Sequence, residues 1–493
     1  MRFSVRLTIY KLNGDIIPID VDFNDHIGKI KLMLQESQGI PITLQNLVFR
    51  GRSLLERDTV GQSGLSNGNS VHLVISDGKK CKTNTSSLLT ISLLWLSLTA
   101  TSGLGAKIPD EDWGYSPLTT SNASQLFWWF YGAQNAMRDQ LPVVLWIPGG
   151  PGVSAMNANF LEFGQLDKDL KPRAHSWSKV ANLLFVDSPV GTGWSYTINK
   201  NFTTTDVQIV GDLMSFIEQL SVRFSWLQTQ PLWIFGESYG GKAAAALAAE
   251  IAAKVKAGKL KMDLKGVALG DSWISPLECM NSYGPFLESV SLVDGVSSDK
   301  LTAFAKLAAG KLSSGDGKGA TGSWVQQQKL ITELTGGIDF YDYLRYNYET
   351  PSLDALMEST IRTKLKIIPK DVRYNSNKDI VFQSMYNDFL KSATKSVEYL
   401  LNEKMQVAVY SGQLDVIVNV GCINNWVEKL NWNGAAGFFS AARTVKKQQN
   451  VPFGAVKKFS NLQLWNIYGA THMVPTEAPA AALSMVTEIL SSK

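Results

Sequence analysis

Pro231-Leu232-Trp233-Ile234-Phe235 runs directly into Gly236-Glu237-Ser238-Tyr239-Gly240, and Lys242-Ala243-Ala244-Ala245-Ala246-Leu247-Ala248-Ala249-Glu250 comes next. The first piece is a short, unbroken apolar run of the kind that forms a strand buried on both faces. The last is nearly pure helix former. Between them, a serine flanked by glycines has the spacing of a G-x-S-x-G elbow, a motif that carries weight only where a strand precedes it and a helix succeeds it. The glycines let strand and helix approach closely while the serine is held on a sharp, exposed turn. An idle serine in a glycine-rich loop is the plain alternative, and the flanking strand and helix speak against it.

Five more apolar runs of strand length lie on either side: Pro142-Val143-Val144-Leu145-Trp146-Ile147, Ala181-Asn182-Leu183-Leu184-Phe185-Val186, Gly266-Val267-Ala268-Leu269, Met405-Gln406-Val407-Ala408-Val409-Tyr410 and Leu462-Gln463-Leu464-Trp465-Asn466-Ile467. They alternate with long helical stretches, which predicts an α/β fold over residues 107–493. Residues 281–371 interrupt the alternation with mostly helical, polar sequence and read as an inserted cap.

A serine hydroxyl is a poor nucleophile until a base takes its proton, so a histidine must reach Ser238. The chain has only four, His26, His72, His175 and His472. In α/β-hydrolases the order is serine, acid, histidine, which excludes His175 and selects His472, in the loop Gly469-Ala470-Thr471-His472-Met473-Val474-Pro475 after an apolar run. The acid must fall between the two. Asp415, just after Tyr410-Ser411-Gly412-Gln413-Leu414, ends a credible strand; Asp271 is its rival and reads as a strand-end turn residue. The glycine-rich turn Trp146-Ile147-Pro148-Gly149-Gly150-Pro151-Gly152 could aim bare backbone N–H groups at a developing alkoxide, with Gly150 and Tyr239 as the expected donors. A phosphate-binding loop is the competing reading of that turn, but the lysine and hydroxyl of such a motif are missing.

Formal charge is +4, from 47 basic and 43 acidic residues without long single-sign runs, so nothing points to nucleic acid. Three cysteines, Cys81, Cys279 and Cys422, show no metal-ligand spacing. No metal and no cofactor is expected. One disulfide at most can form, and free buried thiols are the expected state.

Residues 1–78 have another character. Phe3-Ser4-Val5-Arg6-Leu7 and Ile17-Pro18-Ile19-Asp20-Val21 alternate around a turn at Asn13-Gly14, a β-hairpin pattern. A helical spacing of Ile27, Ile30, Leu32 and Leu34 comes after it, with Asp25 as N-cap candidate and Gly39 as stop. Leu47-Val48-Phe49, the turn Arg50-Gly51-Arg52 and Val71-His72-Leu73-Val74-Ile75 complete a ββαββ order. Through Gly39-Ile40-Pro41, Leu47-Val48-Phe49-Arg50-Gly51-Arg52 and His72-Leu73-Val74, this segment resembles the ubiquitin-like family. The resemblance implies a small β-grasp domain and a face around Val48, His72 and Val74 that docks a protein partner or is simply solvated. The chain runs on through Ser76-Asp77-Gly78 without the family's conjugated Arg-Gly-Gly tail.

Residues 79–106 form a linker: basic Lys79, Lys80 and Lys82, then the apolar residues 88–98, then small residues. That is the layout of a secretory signal, displaced from its usual terminal position and short for a membrane span, which needs about 20 apolar residues. Three readings fit: a signal-anchor, which would put the chain at a membrane, a fused or mis-joined gene, and a buried helix. The secretory look of the sequence from Lys107 onward, with sequons at Asn122 and Asn201, favours the second and predicts a signal and glycosylation.

Residues 113–486 resemble the serine carboxypeptidase family, nearest its retinoid-inducible branch. The match runs through Phe127-Trp128-Trp129, Leu184-Phe185-Val186-Asp187-Ser188-Pro189-Val190-Gly191-Thr192-Gly193, Gly236-Glu237-Ser238-Tyr239-Gly240-Gly241-Lys242, Val267-Ala268-Leu269-Gly270-Asp271-Ser272-Trp273-Ile274-Ser275-Pro276, Gly412-Gln413-Leu414-Asp415 and His472-Met473-Val474-Pro475. It implies an α/β-hydrolase fold with a helical cap. It also implies a secreted or lysosomal/vacuolar enzyme that releases C-terminal residues from peptides through an acyl-enzyme, with Ser238, Asp415 and His472 as its triad. An acidic pair, Glu162 and Glu237, with the N–H of Gly149, would bind the free C-terminal carboxylate of the peptide. Carboxylates can share a site only by sharing protons, so an acidic optimum is expected. Two positions depart from the pattern: Pro148 stands where the family has a side-chain amide donor, and Thr471 where it has glycine. The alternative is an altered or inactive hydrolase fold, acting on esters, in acyl transfer or as a binding protein led by its ubiquitin-like module.

Overall fold

The computed structural model describes residues 4–11, 16–42, 45–49, 52–54, 56–63, 65, 70–75, 107–118, 121–346, 351–375 and 379–492. Contacts divide the chain into two units, Met1–Ser102 and Gly103–Lys493. Cys81, the signal-like residues 88–98 and the hairpin turn at Asn13-Gly14 lie outside the described residues, as do the side chains of Asn122, Val48, His72 and Val74.

In the first unit β1 (Ser4–Lys11) and β2 (Ile16–Asp22) pair antiparallel, and β3 (Gln45–Phe49), a two-residue β4 (Arg52–Ser53) and β5 (Ser70–Ile75) complete a five-stranded sheet in the order β2-β1-β5-β3-β4. The short β4 is the one strand the ββαββ reading omitted. Alternating Val5, Leu7 and Ile9 meet Ile27, Ile30 and Leu34 of the helix Ile27–Gln38 in one core. Gly39 ends that helix in the left-handed conformation at φ 66°, as the stop signal required. The N-cap is His26 rather than Asp25: the Asp25 carboxylate is taken by the Asp22 N–H and by Lys29.

The second unit is built on one 11-stranded sheet. Its middle is parallel, in the order β9 (Asn182–Val186), β8 (Val143–Ile147), β11 (Pro231–Glu237), β12 (Asp263–Gly270), β13 (Gln406–Gly412) and β16 (Leu462–Ile467). These are the six apolar runs, buried on both faces because helices cover both sides of the sheet. Antiparallel strands extend it: β6 (Glu111–Leu118), β7 (Ser121–Tyr131) and β10 (Tyr196–Thr197) beside β9, and β14 (Arg443–Gln448) and β15 (Val451–Phe459) beside β16. Edge strand β14 is largely exposed and carries Lys446 and Lys447, charges that discourage pairing with another chain.

The inserted segment lies between β12 and β13 and is wider than residues 281–371: its helices begin at Pro276–Ser289, continue through Gly295–Ser313 and Gly317–Thr335, and reach Asp379–Met385. Proline at the start of the first of them needs no N–H, which lets the helix begin five residues before the polar stretch. The cysteines correct a second expectation. Cys279 and Cys422 are not free thiols but a disulfide across a sequence separation of 143, tying the helix Pro276–Ser289 to the helix Val420–Glu428 just after Asp415. Among the described residues no helix is long and apolar enough to cross a membrane.

Candidate active site

Every candidate group sits just beyond the carboxyl end of a parallel strand or on a segment leading from one. Ser238 comes directly after β11 at φ 55°, a left-handed conformation costly for a side-chain-bearing residue. The surroundings hold it there: its N–H donates to the Gly270 carbonyl (2.9 Å), and its carbonyl accepts from the N–H groups of Trp273 (2.8 Å) and Gly241 (3.1 Å). The glycines are sterically required. A Cβ on Gly236 would stand 2.5 Å from the Gly240 carbonyl oxygen and 2.8 Å from Cβ of Ala244, and one on Gly240 would stand 2.3 Å from the Ile147 carbonyl oxygen. Forcing a methyl into such a site costs about 1–3 kcal/mol. Gly149 is just as tightly placed, since a Cβ there would lie 2.8 Å from Cβ of Ser238 and 3.4 Å from its hydroxyl oxygen. Behind this turn, the buried Asp187 after β9 accepts the Ser154 hydroxyl (2.6 Å), the Ala155 N–H (2.9 Å) and the Trp194 N–H (3.0 Å), fixing the glycine-rich loop against its neighbour.

His472, after β16, and Asp415, after β13, meet directly: imidazole Nδ1 is 2.7 Å from the Asp415 carboxylate, and both residues are buried. The second Asp415 oxygen accepts from the Val418 N–H (3.3 Å), and the His472 N–H donates to the Tyr341 carbonyl (3.0 Å). His175, partly exposed, takes no part. Asp271 is more than a turn residue. It is fully buried, its carboxylate receives the Gly412 N–H (3.0 and 3.2 Å), and its side chain is hydrogen-bonded to that of Asp415.

Glu162 ends a single wide helical turn, Ala158–Glu162, while Glu237 is the last residue of β11; the fold hydrogen-bonds the two buried side chains to each other. Burial raises Glu162 to about 7, and burial together with the charge of Glu162 holds Glu237 well above the carboxylate range. On each, Oε2 is sealed from solvent and takes no hydrogen bond from a donor elsewhere in the protein. Gly149, Gly150, Glu237, Ser238, Tyr239 and His472 all line a single cavity of about 760 Å³. Asp415 lies behind His472, and Glu162 behind Glu237.

The family model for serine carboxypeptidases matches residues 109–492, and the model for the ubiquitin family matches residues 5–78. The chain belongs to the serine carboxypeptidase family. Its N-terminal unit is a ubiquitin-family domain. Among curated relatives of this family member, serine carboxypeptidase-like 51 of Arabidopsis thaliana is 36% identical over 434 residues, covering 78% of this chain and 92% of the relative. The retinoid-inducible serine carboxypeptidase of Mus musculus is 36% identical over 436 residues, covering 81% and 96%. The crystal structure of a prohormone-processing carboxypeptidase from Saccharomyces cerevisiae shares the α/β-hydrolase fold, with a TM-score of 0.67 at 23% identity over 78% of this chain and 91% of that one.

What the residue-by-residue reading missed in this family member is the far wall of the cavity. Trp324, Ile338, Phe340, Tyr341, Phe382 and Phe389, all from the insertion, line it, and the Phe389 ring stacks on that of Tyr239 at 5.7 Å. The Tyr341 ring rests 4.9 Å from the His472 ring, centroid to centroid, and burial pushes its phenol up to about 12. Trp324 and Phe382 sit in helices while Phe340, Tyr341 and Phe389 lie in turns, and no local pattern marks them as lining anything.

Proposed function

We propose that the chain is a serine-type carboxypeptidase in which Ser238 attacks the last peptide bond of a substrate, His472 takes the serine proton and Asp415 holds the imidazole in the tautomer that can take it. The Nδ1 contact at 2.7 Å leaves Nε2 as the base, and a charged Asp415 stabilises the imidazolium that forms. The N–H groups of Gly150 and Tyr239 receive the oxyanion; an acyl-enzyme forms, the C-terminal residue leaves with the proton from His472, and water completes the cycle with the same base. Aromatic side chains of the insertion line the cavity and put apolar surface beside the reacting groups.

The single observation that carries the exopeptidase reading is the buried Glu162–Glu237 pair, hydrogen-bonded to each other, with Glu237 lining the cavity directly before the nucleophile. Protonated, the pair donates to a terminal carboxylate, assisted by the Gly149 N–H. The raised pKa sets the sign: below about 7 Glu162 keeps its proton, and as pH rises through that value it turns anionic beside Glu237 and repels the substrate carboxylate. The expected medium is acidic, as in a secreted or lysosomal/vacuolar setting, and the exposed Asn201 is available to a glycosyl transferase there. The ubiquitin-family unit is assigned to protein partners. The test is kcat/KM against pH for one peptide with a free and with an amidated C-terminus. Only the free form should lose activity above about pH 7; equal profiles would remove the carboxylate-binding role.

A further inference from the structure

Asp271 sits directly after β12 and has φ 37°, a conformation that favours glycine, so its side chain is placed at the expense of backbone strain. Its N–H donates to the Tyr410 carbonyl (2.8 Å), its carboxyl receives the Gly412 N–H, and its remaining hydrogen bond goes to Asp415. Ligand atoms of Asp271, Asp415 and His472 all lie within 4.8 Å of one another, and all three residues are buried. The groups facing Asp271 are the Asp415 carboxylate, the His472 imidazole, Glu237 at the end of β11 and Tyr410 on β13. Among the described residues no lysine or arginine ion-pairs with either aspartate. Two touching carboxyls without a cation between them cannot both be ionised. Asp415 must keep its charge to serve His472, so the shared proton belongs to Asp271.

We propose that Asp271 is a positioning residue for the triad: its carboxyl stays protonated and donates its O–H to Asp415, steering that carboxylate onto Nδ1 of His472 and drawing part of its charge away from the imidazole. This rests on the triad reading above and adds a fourth group to it. Burial, and after it the charges of Asp415 and Glu237, holds Asp271 well above the carboxylate range, in keeping with a proton retained throughout the working range. A carboxylic acid kept neutral by its surroundings is an effective hydrogen-bond donor. The consequence is chemical: a carboxylate that already accepts a hydrogen bond stabilises the imidazolium less, so His472 stays an unprotonated base at lower pH, where the glutamate pair is competent.

The test uses the full chain and the rate at which a fluorophosphonate labels Ser238 across pH, since the acid limb of that profile reports protonation of His472. Asp271→Ala removes the donor and should move the acid limb upward by about 0.5–1 pH unit, a shift expected of a neighbouring charge. Asp271→Asn keeps a donor for Asp415 and an acceptor for the Gly412 N–H without an ionisable proton, so its limb should coincide with that of the unaltered chain. If the alanine variant only lowers the plateau with its limb unmoved, Asp271 is structural and the proposal fails. Should that variant not fold, Asp271→Asn decides alone: were Asp271 ionised, the amide would remove a negative charge beside His472 and drive the limb downward by about one unit, which also overturns the proposal. An unaltered chain that does not label overturns the triad and this inference together; labelling with the wrong shift overturns the inference only.

Discussion

Two pairs of buried carboxyls stand at this site, made of the same functional group and placed in opposite circumstances. Asp271 and Asp415 are sealed: the Gly412 and Val418 N–H groups and the His472 ring satisfy their oxygens, and both are fully buried. Glu162 and Glu237 are also buried, but no donor from the rest of the protein closes off their Oε2 atoms, and Glu237 lines the cavity. Burial favours the protonated form of Asp271 in the first pair and of both glutamates in the second. What separates them is who else is present. A pair closed off by backbone donors and the imidazole holds its geometry, whereas one that meets the cavity through Glu237 is placed where the proposed substrate carboxylate would come.

The strongest way to break the comparison is to remove the chemistry that only the sealed pair serves. Ser238→Ala and His472→Ala should each lower kcat by about 10⁶-fold, and the double variant little further, because the triad acts as a unit. Binding of a peptide with a free C-terminus to Ser238→Ala should persist, since the glutamates are untouched. Calorimetry that found binding lost along with turnover would merge the two pairs into one function.

Next in size is the side-chain donor that the family resemblance puts at position 148, where this chain has proline. A hydrogen bond to a charged group is worth about 1.5–3 kcal/mol, so Pro148→Gln should raise kcat/KM for free C-termini roughly ten- to a hundredfold and leave amidated peptides nearly unchanged. Equal losses on both substrates would assign Pro148 to turn geometry instead. Glu162→Gln sharpens the contrast further: without its titrating proton, the roughly tenfold loss per pH unit above about 7 should vanish from the free-peptide profile, while the labelling profile of Ser238 stays put. The smallest effect on activity concerns the disulfide. Replacing Cys279 and Cys422 with alanine should cost about 2–5 kcal/mol of stability and lower the thermal midpoint, with labelling near normal at ambient temperature. An unchanged midpoint would show the cross-link to be idle.

The six parallel strands were legible because burial on both faces leaves an unbroken apolar run, as in Val143–Ile147. β14, with Arg443, Lys446 and Lys447 on an exposed edge, carries no such pattern and was invisible. The elbow could be read because strand, glycines, serine and helix are neighbours in the chain. His472 could be read because the order of the triad narrows a short list of histidines to one. Glu162 came only through resemblance to a family, since nothing around it announces a partner at Glu237.

The sequence by itself determined what depends on neighbours a few residues apart: helix and strand, the strained turn at Ser238, and the order in which nucleophile, acid and base occur. Tertiary structure alone decided which carboxyls are buried side by side, that Cys279 finds Cys422 and that Asp271 meets Asp415. The reason is physical. Backbone preference is set by local sterics and hydrogen bonding, whereas a carboxyl's charge, a thiol's partner and a cavity's wall depend on burial and on distances of a few ångströms between residues far apart in the chain, which no local pattern records.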